Sequence, residues 1–140
     1  LREVEKRKLY LQRGYSSMFA FCTEALGYSE AESHIRIQAM RLMSTVAMVE
    51  AKIESGELSL SVAARAQGCF RKAELSKQVK EEIVHSLVGK STRQAERELA
   101  VHFPDQAKPE FQRAVSSQQT RLEFTISNTC LEKLNRLSAK

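Results

Sequence analysis

Apolar positions in this chain fall mostly three and four residues apart, the period that lines one face of an α-helix. Leu1, Val4, Lys8 and Leu11 form a first stripe, which predicts a helix from Leu1 to Gln12. Gly14 stands where a left-handed residue closes it. Ser16 is placed to cap a second helix through Leu26, with Phe19, Cys22 and Leu26 inward, and Gly27 stops it. Ser29-Glu30-Ala31-Glu32 has the form of a capping box, in which Ser29 and Glu32 satisfy each other's orphan backbone N–H groups. The helix it opens runs to about Thr45. Ala31, Ile35, Ala39, Leu42 and Val46 share its inner face, and Ser33, Arg36, Ile37, Met40 and Arg41 point away.

A short helix from Met48 to Glu54 leads into the turn SGELS, residues 55–59. Ser59 or Ser61 opens the next helix, through about Phe70 with a break near Gly68. Ser76 to Leu87 follows, with Val79, Ile83 and Leu87 inward and Lys77, Lys80 and Glu81 outward. Ser91-Thr92-Arg93-Gln94 is a second capping box. Its helix buries Ala95, Leu99 and Phe103 and turns Arg93 and Arg97 outward.

Beyond Pro104 the period changes. Residues 104–119, with Pro104 and Pro109, read as a loop or linker. Thr120 to Ser127 alternates strictly: Leu122, Phe124 and Ile126 fall on one face, and Arg121, Glu123 and Thr125 on the other. That is a half-buried strand. Asn128 or Thr129 then starts a last helix with Leu131, Leu134 and Leu137. A lone strand cannot satisfy its own backbone groups. It is expected to pair with a segment outside this sequence or with the same strand of a second copy, which makes Leu122, Phe124 and Ile126 a candidate homodimer interface. The expected fold is mainly α: a helical domain over 1–103 with helix-turn-helix-like hairpins, a linker over 104–119, and one C-terminal strand followed by a helix over 120–140.

Composition narrows the class. With 140 residues, 42% hydrophobic, the chain can bury a core without covalent staples. Cys22, Cys69 and Cys130 are odd in number and far apart, and read as reduced thiols of a cytoplasmic protein. No apolar run approaches the ~20 residues of a membrane span, so no membrane partner is expected. A formal net charge of +5 is compatible with a polyanion partner. The charge is segregated: residues 2–13 carry five basic against two acidic residues, and Arg65, Arg71, Lys72, Lys77 and Lys80 are opposed only by Glu74. Residues 16–58 are net acidic. Such segregation fits either a nucleic-acid-binding face or two solvated helix faces.

Four stretches carry candidate chemistry. Helix 29–45 begins as the second helix of a helix-turn-helix often does, and Ser33, Arg36 and Arg41, flanked by His34, are placed to reach base edges and phosphates. Ile37 and Met40 on the same surface favour plain packing instead. Gly89-Lys90-Ser91, with Arg93 and Arg97, is a candidate phosphate seat at a helix start. It is no P-loop, because residue 84 is Val84 and no strand precedes it. The strand at 120–127 resembles the first half of a ribbon-helix-helix unit, in which Arg121, Glu123 and Thr125 would face the major groove. For catalysis there is little: His34, His85 and His102 sit on separate helices without cysteine or carboxylate company at metal-ligand spacing. No metal, no cofactor and no catalytic residue is expected.

GYSSMFAFCTEALGYSEAESHIRIQAMRLM (14–43), ESGELSLSVAARAQ (54–67), KSTRQAERELA (90–100) and TRLEFTISNTCLEKLNRL (120–137) together resemble the helical region upstream of the nuclease motif in a family of bacterial HNH endonucleases. In that family a His-Asn-His metal site follows. This sequence reaches Lys140 without one, so no catalytic residue carries over, and it reads as a fragment or a relative that lost the nuclease. The resemblance implies a DNA-associated accessory region. The expectation is therefore a non-catalytic double-stranded-DNA-binding domain, nucleoid-associated, using Ser33, Arg36, Arg41, Lys72, Lys77, Lys80, Lys90, Arg93 and Arg97. Two rivals stand beside it: a protein-interaction or dimerisation module without DNA affinity, and a piece of an HNH nuclease.

Overall fold

The structure, a computed structural model, describes residues 1–106, 111–116, 118–123 and 126–138. It is mainly helical, with a two-stranded sheet and a helix after it. The chain divides into two compact units, Leu1–Gln106 and Ala107–Lys140.

In the first unit α1 (Arg2–Lys6) and α2 (Leu9–Gln12) replace the single helix expected over 1–12. Lys8 breaks it, standing at φ +51 in a left-handed conformation that disfavours any residue with a Cβ by about 1–2 kcal/mol. Ser17, not Ser16, caps the next element and accepts from the Ala20 N–H at 3.0 Å. That element is one turn of α-helix, α3 (Met18–Ala20), continuing as a π-helical turn over Phe21–Ala25. The wider π turn and the later start rotate the buried face. Met18, Phe21 and Cys22 are inside, while Phe19 and Leu26, both expected inward, are 40% exposed.

Four of the remaining helices in this unit start on serines. Ser29, Ser59, Ser76 and Ser91 each accept an N–H from three residues on, opening α4 (Glu30–Thr45), α6 (Leu60–Phe70), α7 (Lys77–Leu87) and α8 (Thr92–His102). Between α4 and α6 lies α5 (Met48–Glu54). Only Ser91 makes a full capping box, with the Gln94 side chain returning to the Ser91 N–H at 2.9 Å. Glu32 turns forward to Arg36 instead. Gly68 does not break α6, since a glycine in a packed helix lowers stability without forcing an end.

Two apolar clusters hold this unit. The larger joins Ala39, Leu42 and Val46 of α4 and its end to Val62, Ala63 and Ala66 of α6, Ile83, Val84 and Leu87 of α7, and Ala95, Leu99 and Phe103 of α8 and its end. The smaller joins Ile37 and Met40, on another side of α4, to Met18, Phe21 and Cys22. Tyr15 meets Phe21 edge-on at 5.5 Å between ring centroids. Thus α4 is covered on two sides. Of its expected inner face, Ala39, Leu42 and Val46 are buried, Ile35 is half-buried and Ala31 is exposed.

In the second unit Thr120–Glu123 does form a strand, but not a lone one. It is β2, paired antiparallel with β1 (Phe111–Ala114), a strand inside the stretch expected to be linker. Its backbone partner is therefore in the same chain, which removes the ground for expecting a two-fold ribbon. Leu122 is exposed, Ile126 is half-buried, and Phe124 and Thr125 lie outside the described residues. Ser127 accepts from the Cys130 N–H at 3.3 Å and starts α9 (Asn128–Ser138). No helix among the described residues is long and apolar enough to cross a membrane.

Candidate nucleic-acid interface

The helix that opens on Ser29 does not present the surface expected of it. Ser33 is fully buried, and Ile37 and Met40 are each 5% exposed inside the smaller cluster. The Ser33 hydroxyl and the Gln38 amide oxygen have no hydrogen-bond partner among the described residues. Arg36 reaches the surface, but its Nε and Nη2 donate to one oxygen of Glu32 at 2.9 and 2.8 Å, and its guanidinium lies 4.7 Å from the Tyr28 ring centre. The Glu32 hydrogen bonds push the Arg36 pKa up and fix its charge. Arg41 donates through Nε and Nη2 to Glu5 of α1, at 2.9 and 2.5 Å. Both arginines are thus engaged within the fold. An open pocket beside them is lined by Arg2, Arg36, Met40, Met43, Glu50 and Leu60, and Arg2 is paired to Glu50 across 2.8 Å.

The seat at residues 89–91 is also occupied from within. Lys90 donates to Glu98 of α8, and this hydrogen bond holds the Glu98 carboxyl below the usual carboxylate range. His102 stands 3.8 Å from the other Glu98 oxygen. Lys77 approaches Glu81 at 3.8 Å, and Arg65 bridges α6 to α8 through Glu96 at 2.5 Å.

What remains is a smaller set of cations. Arg93 and Arg97 are exposed on α8, opposite the buried Ala95 and Leu99, and neither makes an ion pair or side-chain hydrogen bond among the described residues. The same holds for Lys72, just after α6, and for the half-buried Lys80 on α7. Arg71 belongs with them: it is exposed and unpaired, among the described residues, next to Lys72. The run Arg71-Lys72 points to it as plainly as to its neighbour. Helices α6, α7 and α8 all pack against one another, so these cations are held by one three-helix group. For Lys80, Arg93 and Arg97 the backbone is already fixed in packed helices, so only the side chains remain to be ordered on meeting a polyanion.

Among the described residues, acid-base and metal chemistry find no comparable arrangement. Burial pushes the Cys22 and Cys69 thiols up, which keeps them protonated and poor as nucleophiles. Among the described residues no three His, Cys, Asp or Glu side chains converge on a position for a metal ion. No family model, curated protein or solved structure matches the chain.

Proposed function

We propose that this chain is a non-catalytic DNA-binding domain, as its resemblance to the accessory region of HNH endonucleases implies, and that its helical unit contacts phosphates rather than bases. The observation that carries this reading is the pair Arg93 and Arg97, one turn apart on the outer face of a helix opened by a full capping box, both exposed and both without an internal partner among the described residues. Lys72, Lys80 and Arg71 support them. Ser33 drops out because it is buried. Arg36, Arg41, Lys77 and Lys90 each neutralise a carboxylate already present. Phosphate contact carries no sequence information by itself, so this unit would position DNA rather than select a site.

Fluorescence anisotropy of a labelled duplex, at low and near-physiological salt, tests the reading. Removing one phosphate-binding cation should flatten the dependence of log affinity on log salt by about 0.9. Arg93→Ala with Arg97→Ala should therefore weaken binding at low salt and reduce the slope by about 2. No binding by the intact chain at low salt would overturn the proposal. That result would favour a protein-interaction module, for which the exposed Leu122 and Leu137 are the supporting observation.

A further inference from the structure

The hairpin of the second unit carries an arrangement that its own stability does not explain. In the register of β1 and β2, Arg113 lies directly opposite Arg121. Directly opposite residues of an antiparallel pair project from the same face, roughly 4.5–5.5 Å apart at their Cβ atoms. Both arginines are exposed, and neither makes an ion pair or hydrogen bond through its guanidinium among the described residues. Glu123 lies two residues on, on the same face by alternation, yet no ion pair joins it to either arginine.

Like charges directly opposite one another destabilise a ladder. Here they do so in a two-stranded hairpin with four residues per strand, a structure that is marginal in water. A hairpin shaped only by its own pairing would place a carboxylate or a β-branched residue across from Arg121. An anion from outside, or an acceptor that takes both guanidinium groups, would relieve the pair.

The surroundings favour a polyanion. Residues 107–140 hold six Lys and Arg against three Glu, a net +3, whereas residues 1–106 hold sixteen against fourteen acidic residues, a net +2. More than half of the chain's charge of +5 thus sits in its shorter unit. The shape fits as well. The major groove of B-DNA, about 12 Å wide, admits a two-stranded β-ribbon, and arginine donates two parallel hydrogen bonds to O6 and N7 of guanine.

We propose that the hairpin Phe111–Ala114/Thr120–Glu123 is a second DNA-contacting element, a ribbon that presents Arg113 and Arg121 to the major groove. It takes its partner, duplex DNA, from the reading of the helical unit above, and adds what that unit lacks, a means of reaching base edges. The ribbon does this within one chain and needs no second copy.

The test uses the full 140-residue chain, a duplex containing guanines, anisotropy for affinity, and protection of guanine N7 from methylation as a major-groove readout. The chain is expected to protect N7, and Arg113→Ala with Arg121→Ala should abolish that protection and weaken binding at least tenfold. R121E guards against a merely unfolded hairpin. It sets a carboxylate opposite Arg113, which favours the ladder, and it should still lose protection. Arg93→Ala with Arg97→Ala should lower affinity but leave N7 protection at saturating protein. Binding with unchanged affinity and N7 protection in the Arg113/Arg121 double variant would overturn the ribbon and leave the helical unit's role standing. Loss confined to the hairpin variants, with the Arg93/Arg97 variant unaffected, would do the reverse. Absence of any DNA binding would overturn both.

Discussion

Helices α4 and α8 open on nearly the same sequence signature and end in opposite situations. Each follows a glycine and a Gly-x-Ser start, and each has a serine whose hydroxyl accepts the N–H three residues on. Each carries two arginines four or five residues apart, on what the helical wheel makes an outer face. On α8 that face is outer: Arg93 and Arg97 are exposed, and Val101 beside them is 78% exposed. On α4 it is not, because the smaller cluster covers Ile37 and Met40 while the larger cluster takes Leu42 and Val46. The difference lies in the supply of apolar residues. Ala95, Leu99 and Phe103 form one stripe on α8, whereas α4 has apolar residues for two. A helix with two stripes is a layer between neighbours and has little surface left for a ligand.

Truncation should separate the two helices most sharply. Ile37→Ala on α4 should destabilise the chain by about 2–5 kcal/mol, the range for emptying a packed site. Val101→Ala on α8 should stay within about 0.5 kcal/mol of the parent. Urea denaturation followed by circular dichroism measures both. Equal, small effects would mean that the second side of α4 is open and that the recognition-helix reading of residues 29–45 must be restored.

A smaller effect of opposite sign is expected at Ser33. Its hydroxyl is buried without a partner among the described residues, so folding forfeits hydrogen bonds to water that none of these residues replaces. Alanine removes that group and suits a helix interior better. Ser33→Ala should raise stability by about 1 kcal/mol and leave any DNA affinity unchanged. A measured drop in stability would show that the hydroxyl has a partner.

The contrast also marks what a sequence can disclose. The serine caps of α4, α6, α7 and α8, the ends of α5 and both outward arginines of α8 follow from local rules, since each involves residues within one or two turns. The pairing of Arg36 with Glu32 is of the same kind, an i, i+4 contact. Arg41 with Glu5 spans 36 positions, and nothing local announces it. The same distinction explains the hairpin. Thr120 to Ser127 alternates and is legible as a strand. Phe-Gln-Arg-Ala at 111–114 lacks alternation and β-branched residues, and becomes a strand only because β2 folds onto it. The juxtaposition of Arg113 and Arg121 therefore exists nowhere in the pattern of either segment.

The smallest expected effect concerns Lys90 and Glu98, the contact that takes Lys90 out of the candidate interface. The hydrogen bond from Lys90, then its charge, depresses the Glu98 pKa from its ordinary 4.5, with His102 adding to the same direction. A carboxylate whose folded pKa lies below its unfolded one binds fewer protons when folded. Its contribution is complete above the unfolded value and fades as pH falls through the folded value. The gap in denaturation midpoint between the parent and Glu98→Gln should accordingly be constant near neutrality and close in acid, starting near pH 4.5. Lys90→Met should produce a gap that closes over the same range. Both side chains are about one-third exposed, so high salt should narrow each gap as well. If the gap instead held from neutral pH into acid, the pair would not be formed in solution. Lys90 would then be an available cation one residue before the cap of α8, and the phosphate seat at residues 89–91 would have to be added to Arg93 and Arg97.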